Sequence, residues 1–267
     1  MKAIIDGDIP IFTECAVAAG RGSDFGPYFP NITGLADAAS YTIEMWMRES
    51  GATELILVHG HKSKRNFRKH LMPGEYKAGR TQPKPSGYYE VLEKVLDRFD
   101  CFTIDGVEGD DACGILHTST MTGETVTVST DKDFKTLYGW HYNPNKHHLP
   151  EFISVNEAAH FWMWQVLVGD SADGYKGAKG IGKVKADAVL GVVDLTADAK
   201  VYACALWCAV LDAYVGVYSD PQTAMSNAVM QARMARILHR EDYARENASI
   251  RLWNPHQTDE WLRLDSW

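Results

Sequence analysis

The stretch KAIIDGD, residues 2–8, sets the pattern for the first two-thirds of the chain. A short run rich in β-branched residues ends on two carboxylates, Asp6 and Asp8. Three further runs, ELILV (54–58), CFTID (101–105) and TVTVS (125–129), have the same character and are bounded by glycine or charged residues, as strands are. Between them, ADAASYTIEMWMRES, YYEVLEKVLDRF and DDACGILHTSTM repeat apolar residues at intervals of three and four and predict helices. Strand–helix alternation of this kind folds as an α/β parallel sheet covered on both faces, with reactive groups at the carboxyl ends of its strands. Beyond about residue 155 the strand signal fades. NEAAHFWMWQVLVGD, KADAVLGVV, KVYACALWCAVLDAYVGVY and TAMSNAVMQARMARILHRE all read as helices. The expected organisation is an α/β core over 1–155 and a helical part over 156–267.

Composition sets the outer limits. A chain of 267 residues, 45% hydrophobic and 23% charged, is of ordinary globular make-up. No uninterrupted apolar stretch reaches membrane-spanning length. Asp6 interrupts the N-terminal run before a signal peptide could form. Of the five cysteines, Cys15, Cys101, Cys113, Cys204 and Cys208, none makes a CxxC pair, which fits a reducing cytoplasm. Cys204 and Cys208 lie one helical turn apart and are expected as small buried apolar side chains. The formal net charge of −8 argues at first against a nucleic-acid partner.

The distribution of charge reverses that argument. Acidic clusters stand at Asp6 and Asp8, at Glu108, Asp110 and Asp111, at Asp131 and Asp133, and at Asp170 and Asp173. Single clusters of this kind are often helix caps or turns. Four in succession near strand and helix ends point to hard divalent cations, Mg²⁺ or Mn²⁺, because converging carboxylates raise one another's pKa unless a cation sits between them. Two other segments are suited to phosphate. Residues 61–85, HKSKRNFRKHLMPGEYKAGRTQPKP, are rich in lysine and arginine with Glu75 the single acid. Residues 169–186, GDSADGYKGAKGIGKVKA, combine glycines with lysines.

These residues, together with NFRKHLMPGEYKAGR, KPSGYYEVLEKVLDRF, VEGDDACGIL, STDKDFKTL, LVGDSADGYKGAKGIG and QARMARILHRE followed by IRLWNP, resemble the flap endonuclease and 5′–3′ exonuclease superfamily, and within it the branch from T-seven-like podoviruses. The resemblance implies a PIN-like nuclease core with a helical arch or clamp at 61–85 and a helix–three-turn–helix element at about 169–190. It implies that Asp6, Glu108, Asp110 and Asp111 line a first metal site, with Asp8 less often a ligand. Asp131, Asp133, Asp170 and Asp173 would line or support a second. Lys77 and Arg80 would reach the scissile phosphate, Tyr76 would stack on an end base, and Arg65 and Arg68 would grip the strand. Gly177, Gly180, Gly182, Lys183 and Lys185 would hold the uncut duplex strand, with a K⁺ ion as a further partner of that element. His61 falls where the family generally has Asp, and imidazole is a poor Mg²⁺ ligand.

The implied function is two-metal hydrolysis of phosphodiester bonds from 5′ ends of duplex DNA, extending to nicks, flaps and RNA–DNA hybrids. It would act in phage replication, in the host cytoplasm and away from membranes, alongside replication proteins that no segment identifies. The alternatives are a flap endonuclease with little exonuclease activity, a non-catalytic DNA-binding member of the fold, and a PIN-type ribonuclease. The retained carboxylates oppose the second, and chain length and the lysine-rich glycine segment oppose the third.

Overall fold

The computed structural model describes residues 1–22, 30–63 and 65–255. Along the chain run β1 (Lys2–Asp6), α1 (Asp8–Gly22), α2 (Ile32–Glu49), β2 (Glu54–Val58), α3 (Phe67–Leu71), α4 (Tyr88–Leu96), β3 (Cys101–Phe102), α5 (Gly109–His117), β4 (Thr125–Val128), β5 (Gly139–Tyr142) and β6 (Glu151–Ile153). There follow α6 (Val155–Val168), α7 (Lys183–Leu190), α8 (Ala199–Tyr218), α9 (Pro221–Ala235) and a short antiparallel pair, β7 (Tyr243–Ala244) with β8 (Ser249–Ile250). The chain divides into two compact units, one of 1–65, 81–134 and 139–152, the other of 66–80, 135–138 and 153–267.

In the first unit the strands form a six-stranded sheet in the order β3-β2-β1-β4-β5-β6. The pairs β1–β2, β1–β4, β2–β3 and β4–β5 are parallel. Strand β1 is central, and its residues Ala3 to Asp6 are all buried, as expected where helices cover both faces. Ala3 and Ile5 enter a core with Ile11 and Cys15 of α1, Ala36, Ala39 and Ile43 of α2, and Tyr88, Val91 and Val95 of α4. Burying each of the larger of these side chains is worth roughly 2 kcal/mol. Helix α5 also packs on β1. Asn31 starts α2 by accepting the Gly34 N–H at 3.1 Å, which satisfies one of the amides a helix start leaves unpaired.

Four strands of the sequence reading are present, with β3 only two residues long. Strands β5 (GWHY) and β6 (EFI) and helix α1 were not expected. The two strands are short and lie among polar and histidine-rich residues, and α1 begins at Asp8 directly on the acidic turn, so none of them shows a clear periodicity.

The second unit is helical. Trp162, Met163, Val166 and Leu167 of α6 meet Tyr202, Leu206, Val210 and Tyr214 of α8, and Ala224, Ala228 and Ala232 of α9. The four-residue spacing of these alanines gives α9 a smooth face along which its neighbours approach closely. Local chemistry sets the helix starts. Ser154 and Glu157 form a capping box on α6, Asp198 caps α8 through the Lys200 and Val201 amides, and Asp220 precedes Pro221 at the start of α9. Helix α8 is long and apolar enough to cross a membrane by length and composition alone, and one face of it is the core just described. Cys204 and Cys208, expected to be buried, are exposed because the core takes the opposite face of α8.

The basic segment also differs from expectation. Within 61–85 the described helix is the five-residue α3, followed by turns, so no extended helical arch stands among the described residues; Lys64 lies outside them. Residues 66–80, expected with the core, pack in the second unit.

Candidate metal centre and phosphate-facing residues

The site of the first unit begins with the turn between β1 and α1. Gly7 donates its N–H to the Val58 carbonyl of β2 at 2.8 Å. A Cβ at this position would lie 2.7 Å from Leu57 Cδ1 and 3.1 Å from the Val58 oxygen, so only glycine allows this approach. That approach fixes Asp6 and Asp8 at the carboxyl ends of β1 and β2.

Asp8 accepts the Gly60 N–H through Oδ2 at 3.1 Å and the Tyr88 hydroxyl through Oδ1 at 2.9 Å. Both of its oxygens therefore tie α1 to neighbouring elements. That agrees with a structural clip more than with a ligand. The sequence assigns a role to neither Tyr88 nor Gly60, although Tyr88 lies within the segment KPSGYYEVLEKVLDRF.

Asp6 is buried and accepts the Ser129 hydroxyl at 3.1 Å. The same hydroxyl oxygen accepts the Asp131 N–H at 3.1 Å, so Ser129 joins the ends of β1 and β4. Burial, and next the charge of Asp8, push the Asp6 carboxyl up to about 7, with Asp131 adding to the effect and the Ser129 bond opposing it. Asp133 donates its N–H to Asp131 Oδ1 at 3.0 Å, and its carboxylate pairs with Lys132 at 2.8 Å.

The third acidic cluster starts α5. Glu108 and Asp111 form a capping box, with the Glu108 N–H donating to Asp111 Oδ2 at 3.2 Å. The positive end of the helix dipole favours carboxylates at this position. Here the capping interpretation and the metal interpretation both hold. Glu108, Asp110 and Asp111 each offer an oxygen, all within 4.8 Å of one another, while Asp111 itself is fully buried. Burial pushes the Cys113 thiol on α5 well up, and Asp6, Asp110, Asp8 and Asp111 all add to that shift. One buried thiol thus feels the first and third clusters together. The donors are carboxylate oxygens, the set that suits a small divalent cation.

Beside this centre, His61, Ser63 and Arg65 gather on Asp105. His61 Nδ1 lies 3.2 Å from Asp105 Oδ1, Ser63 donates its hydroxyl to the same carboxylate, and Arg65 binds it through Nε at 3.2 Å and through Nη2. Sequence reading left His61 without a nearby acid. Asp105 was hidden because it follows a different strand.

In the second unit, Asp170 accepts the Ala172 N–H at 2.7 Å and the Asp173 N–H at 3.3 Å, which makes a tight turn. Asp173 is held by three residues of the basic segment. Arg80 Nη2 lies at 2.7 Å, the Tyr76 hydroxyl at 3.4 Å and Lys77 Nζ at 3.7 Å. Lys77 has a left-handed backbone, φ +53°, pinned by its N–H to the Asp173 carbonyl at 2.9 Å. Such a conformation costs a β-carbon residue about 1–2 kcal/mol, and in this chain it falls on one of the two expected phosphate-facing cations.

Three residues expected to contact DNA are engaged within the fold. Tyr76 is 5% exposed and its ring belongs to the core of the second unit, leaving no face for a base. Arg68 is 3% exposed and donates to the carbonyls of Met234 at 3.1 Å and Arg236 at 2.5 Å, so it braces the chain after α9. The Gly177 N–H is taken by Gln231 Oε1 at 2.8 Å, and its φ of +64° serves packing against Leu167. Gly180, Gly182, Lys183 and Lys185 are exposed around the start of α7, and Lys185 Nζ reaches the Gly180 carbonyl at 2.9 Å. The final segment contributes Trp253, whose ring packs edge-on against Trp162 at 5.1 Å and Trp207 at 4.9 Å.

No protein-family model matches the chain. It is 30% identical over 224 residues to the exodeoxyribonuclease of Enterobacteria phage T3, across 71% of this chain and 70% of that one. It is 34% identical over 133 residues to the exonuclease of Escherichia phage T7, across 46% of this chain and 43% of that one. Among solved structures, the T5 D15 protein co-crystallized with metal ions matches with a TM-score of 0.52 and 18% identity, over 88% of this chain and 96% of that one. This structural likeness concerns the fold, a mostly parallel six-stranded α/β sheet with helices. The long alignment to the T3 enzyme agrees with the acidic centre at the strand ends, and the chain belongs to the 5′–3′ exonuclease/flap endonuclease family of nucleases.

Proposed function

We propose that the chain hydrolyses phosphodiester bonds at 5′ ends of duplex DNA with the help of two divalent ions, Mg²⁺ or Mn²⁺. One observation carries this reading: Asp6, whose carboxyl is pushed up to about 7 by burial first and by Asp8 next, acts on the buried Cys113 thiol together with Asp110 and Asp111 of the close Glu108, Asp110 and Asp111 group. Such a centre stabilises a hard cation and gains charge balance from it. Asp6, Glu108, Asp110 and Asp111 would hold the first ion, with Asp8 shaping the turn beside it. Asp131 and Asp133 serve the second, and the family resemblance alone assigns Asp170 and Asp173 to it. Held by these carboxylates, such ions would lower the pKa of a water and offset charge on the phosphate.

The remaining roles belong to the side chains. Lys77 and Arg80 exchange Asp173 for phosphate oxygens and stabilise the charge that develops there. Arg65 and His61 face the strand. Gly180, Gly182, Lys183 and Lys185 offer the open start of α7 to a duplex phosphate, in a helix–three-turn–helix element with a K⁺ ion as a further partner. Nicked and flapped DNA are further substrates in this reading, since flap endonucleases of Shewanella baltica are among the relatives. The test is the double change Asp131→Ala with Asp133→Ala. Retained DNA binding with loss of hydrolysis supports the reading, and hydrolysis at the wild-type rate overturns it.

A further inference from the structure

In the segment after β2, His61, Ser63 and Arg65 occupy alternate positions, and all three side chains converge on one carboxylate, Asp105. The convergence is reinforced from within. The Ser63 N–H donates to His61 Nδ1 at 3.2 Å, the Ser63 hydroxyl lies 3.0 Å from the same nitrogen, and the Arg65 N–H donates to the Ser63 hydroxyl at 3.3 Å. Asp105 therefore takes the Ser63 hydroxyl and the Nε–Nη2 edge of the guanidinium, and His61 is tied to the same cluster through Ser63, whose N–H its Nδ1 accepts.

Stability does not explain this arrangement. The Arg65 side chain is 69% exposed, and an exposed ion pair contributes little to folding, typically below about 1 kcal/mol. What the pairing does is orient. A guanidinium held by a carboxylate along one edge presents its remaining N–H groups in a fixed plane, the geometry that grips a phosphate in two-point fashion.

We propose that Asp105 is a positioning residue for DNA: it organises His61 and Arg65 into a two-point grip on a strand phosphate beside the carboxylate centre. This rests on the proposed DNA-directed function. Its charge makes the idea sharp, because Asp105 is an acid. Coulomb repulsion alone says that removing an acid from a DNA-binding surface tightens binding. Positioning says that removal loosens it.

The experiment measures binding of a fluorescein-labelled DNA duplex with a single-stranded 5′ extension, in EDTA so that no cleavage occurs, for the wild type, Asp105→Asn, the double variant His61→Ala with Arg65→Ala, and the triple combination. The expected result is a Kd about 3–10-fold weaker for Asp105→Asn, together with a salt dependence shallower by about one phosphate contact. In the background lacking His61 and Arg65, the same change should have no effect or tighten binding slightly. The melting temperature should be unaffected by Asp105→Asn, which separates positioning from a structural role. Tighter binding by Asp105→Asn in the otherwise wild-type chain, or an equal loss in both backgrounds, would overturn the proposal. Failure of the wild type to bind this DNA at all would instead sink the proposed function.

Discussion

Replacing Asp6 by Asn should stabilise the metal-free protein while removing its activity. The carboxyl of Asp6 is buried and pushed up to about 7, against 3.8 for the free side chain. A folded-state pKa above the unfolded value means that the folded chain binds the proton more tightly. Stability is therefore lost as pH rises from about 4 to about 7, and the full cost is present above 7. At 1.36 kcal/mol per unit, that cost is about 4 kcal/mol at pH 8 and less than about half of that at pH 5. Asn is neutral, of the same shape, and keeps an oxygen to accept the Ser129 hydroxyl. At roughly 3 °C per kcal/mol, Asp6→Asn should melt up to about 12 °C above the wild type at pH 8 and about 5 °C above it at pH 5. The assay is thermal unfolding in EDTA across that pH range, repeated with Mg²⁺. Added Mg²⁺ should raise the wild-type melting temperature at pH 8 and narrow the gap, because a cation relieves the same repulsion. A variant that melts below the wild type at pH 8, or a gap that does not depend on pH, would refute the electrostatic reading of this centre.

Other changes separate the roles of neighbouring residues. Lys77→Ala should reduce kcat by about 100-fold and change DNA affinity by less than about threefold, as expected for a cation whose gain comes in the transition state; single-turnover cleavage and a binding titration read the two parts. Arg68→Ala should lower stability by about 3 kcal/mol, since it leaves the Met234 and Arg236 carbonyls without this buried donor, and thermal unfolding checks it. Gly7→Ala should destabilise by about 1–3 kcal/mol through the clash with Leu57, with activity per folded molecule also reduced because the turn carries Asp6.

Much of the first unit could be read from the sequence because each buried strand is a run of apolar residues flanked by punctuation. The carboxylates were legible for the same reason: they stand at element boundaries, Asp6 at the end of β1, Glu108, Asp110 and Asp111 at the start of α5, and Asp131 just after β4. Burial of polar side chains was not legible. Nothing in EYKAGR distinguishes the core ring of Tyr76 from the cations that follow it, and Arg68 has the composition of a surface residue while its partners lie more than 160 positions away. The same limit hid Asp105, whose link to Arg65 spans 40 positions, and Tyr88, which reaches Asp8 across 80. Such pairings depend on tertiary placement, and no local periodicity encodes them.

The most direct test is digestion of duplex DNA labelled at either the 5′ or the 3′ end, with Mg²⁺, with Mn²⁺ and with EDTA. The expected result is early release of small labelled products from the 5′ label alone, only with a divalent ion, and none from a Glu108→Gln, Asp110→Asn variant that binds the same DNA. Release from the 3′ label first, or cleavage that persists in EDTA, would contradict a metal-dependent 5′ nuclease centred on these carboxylates.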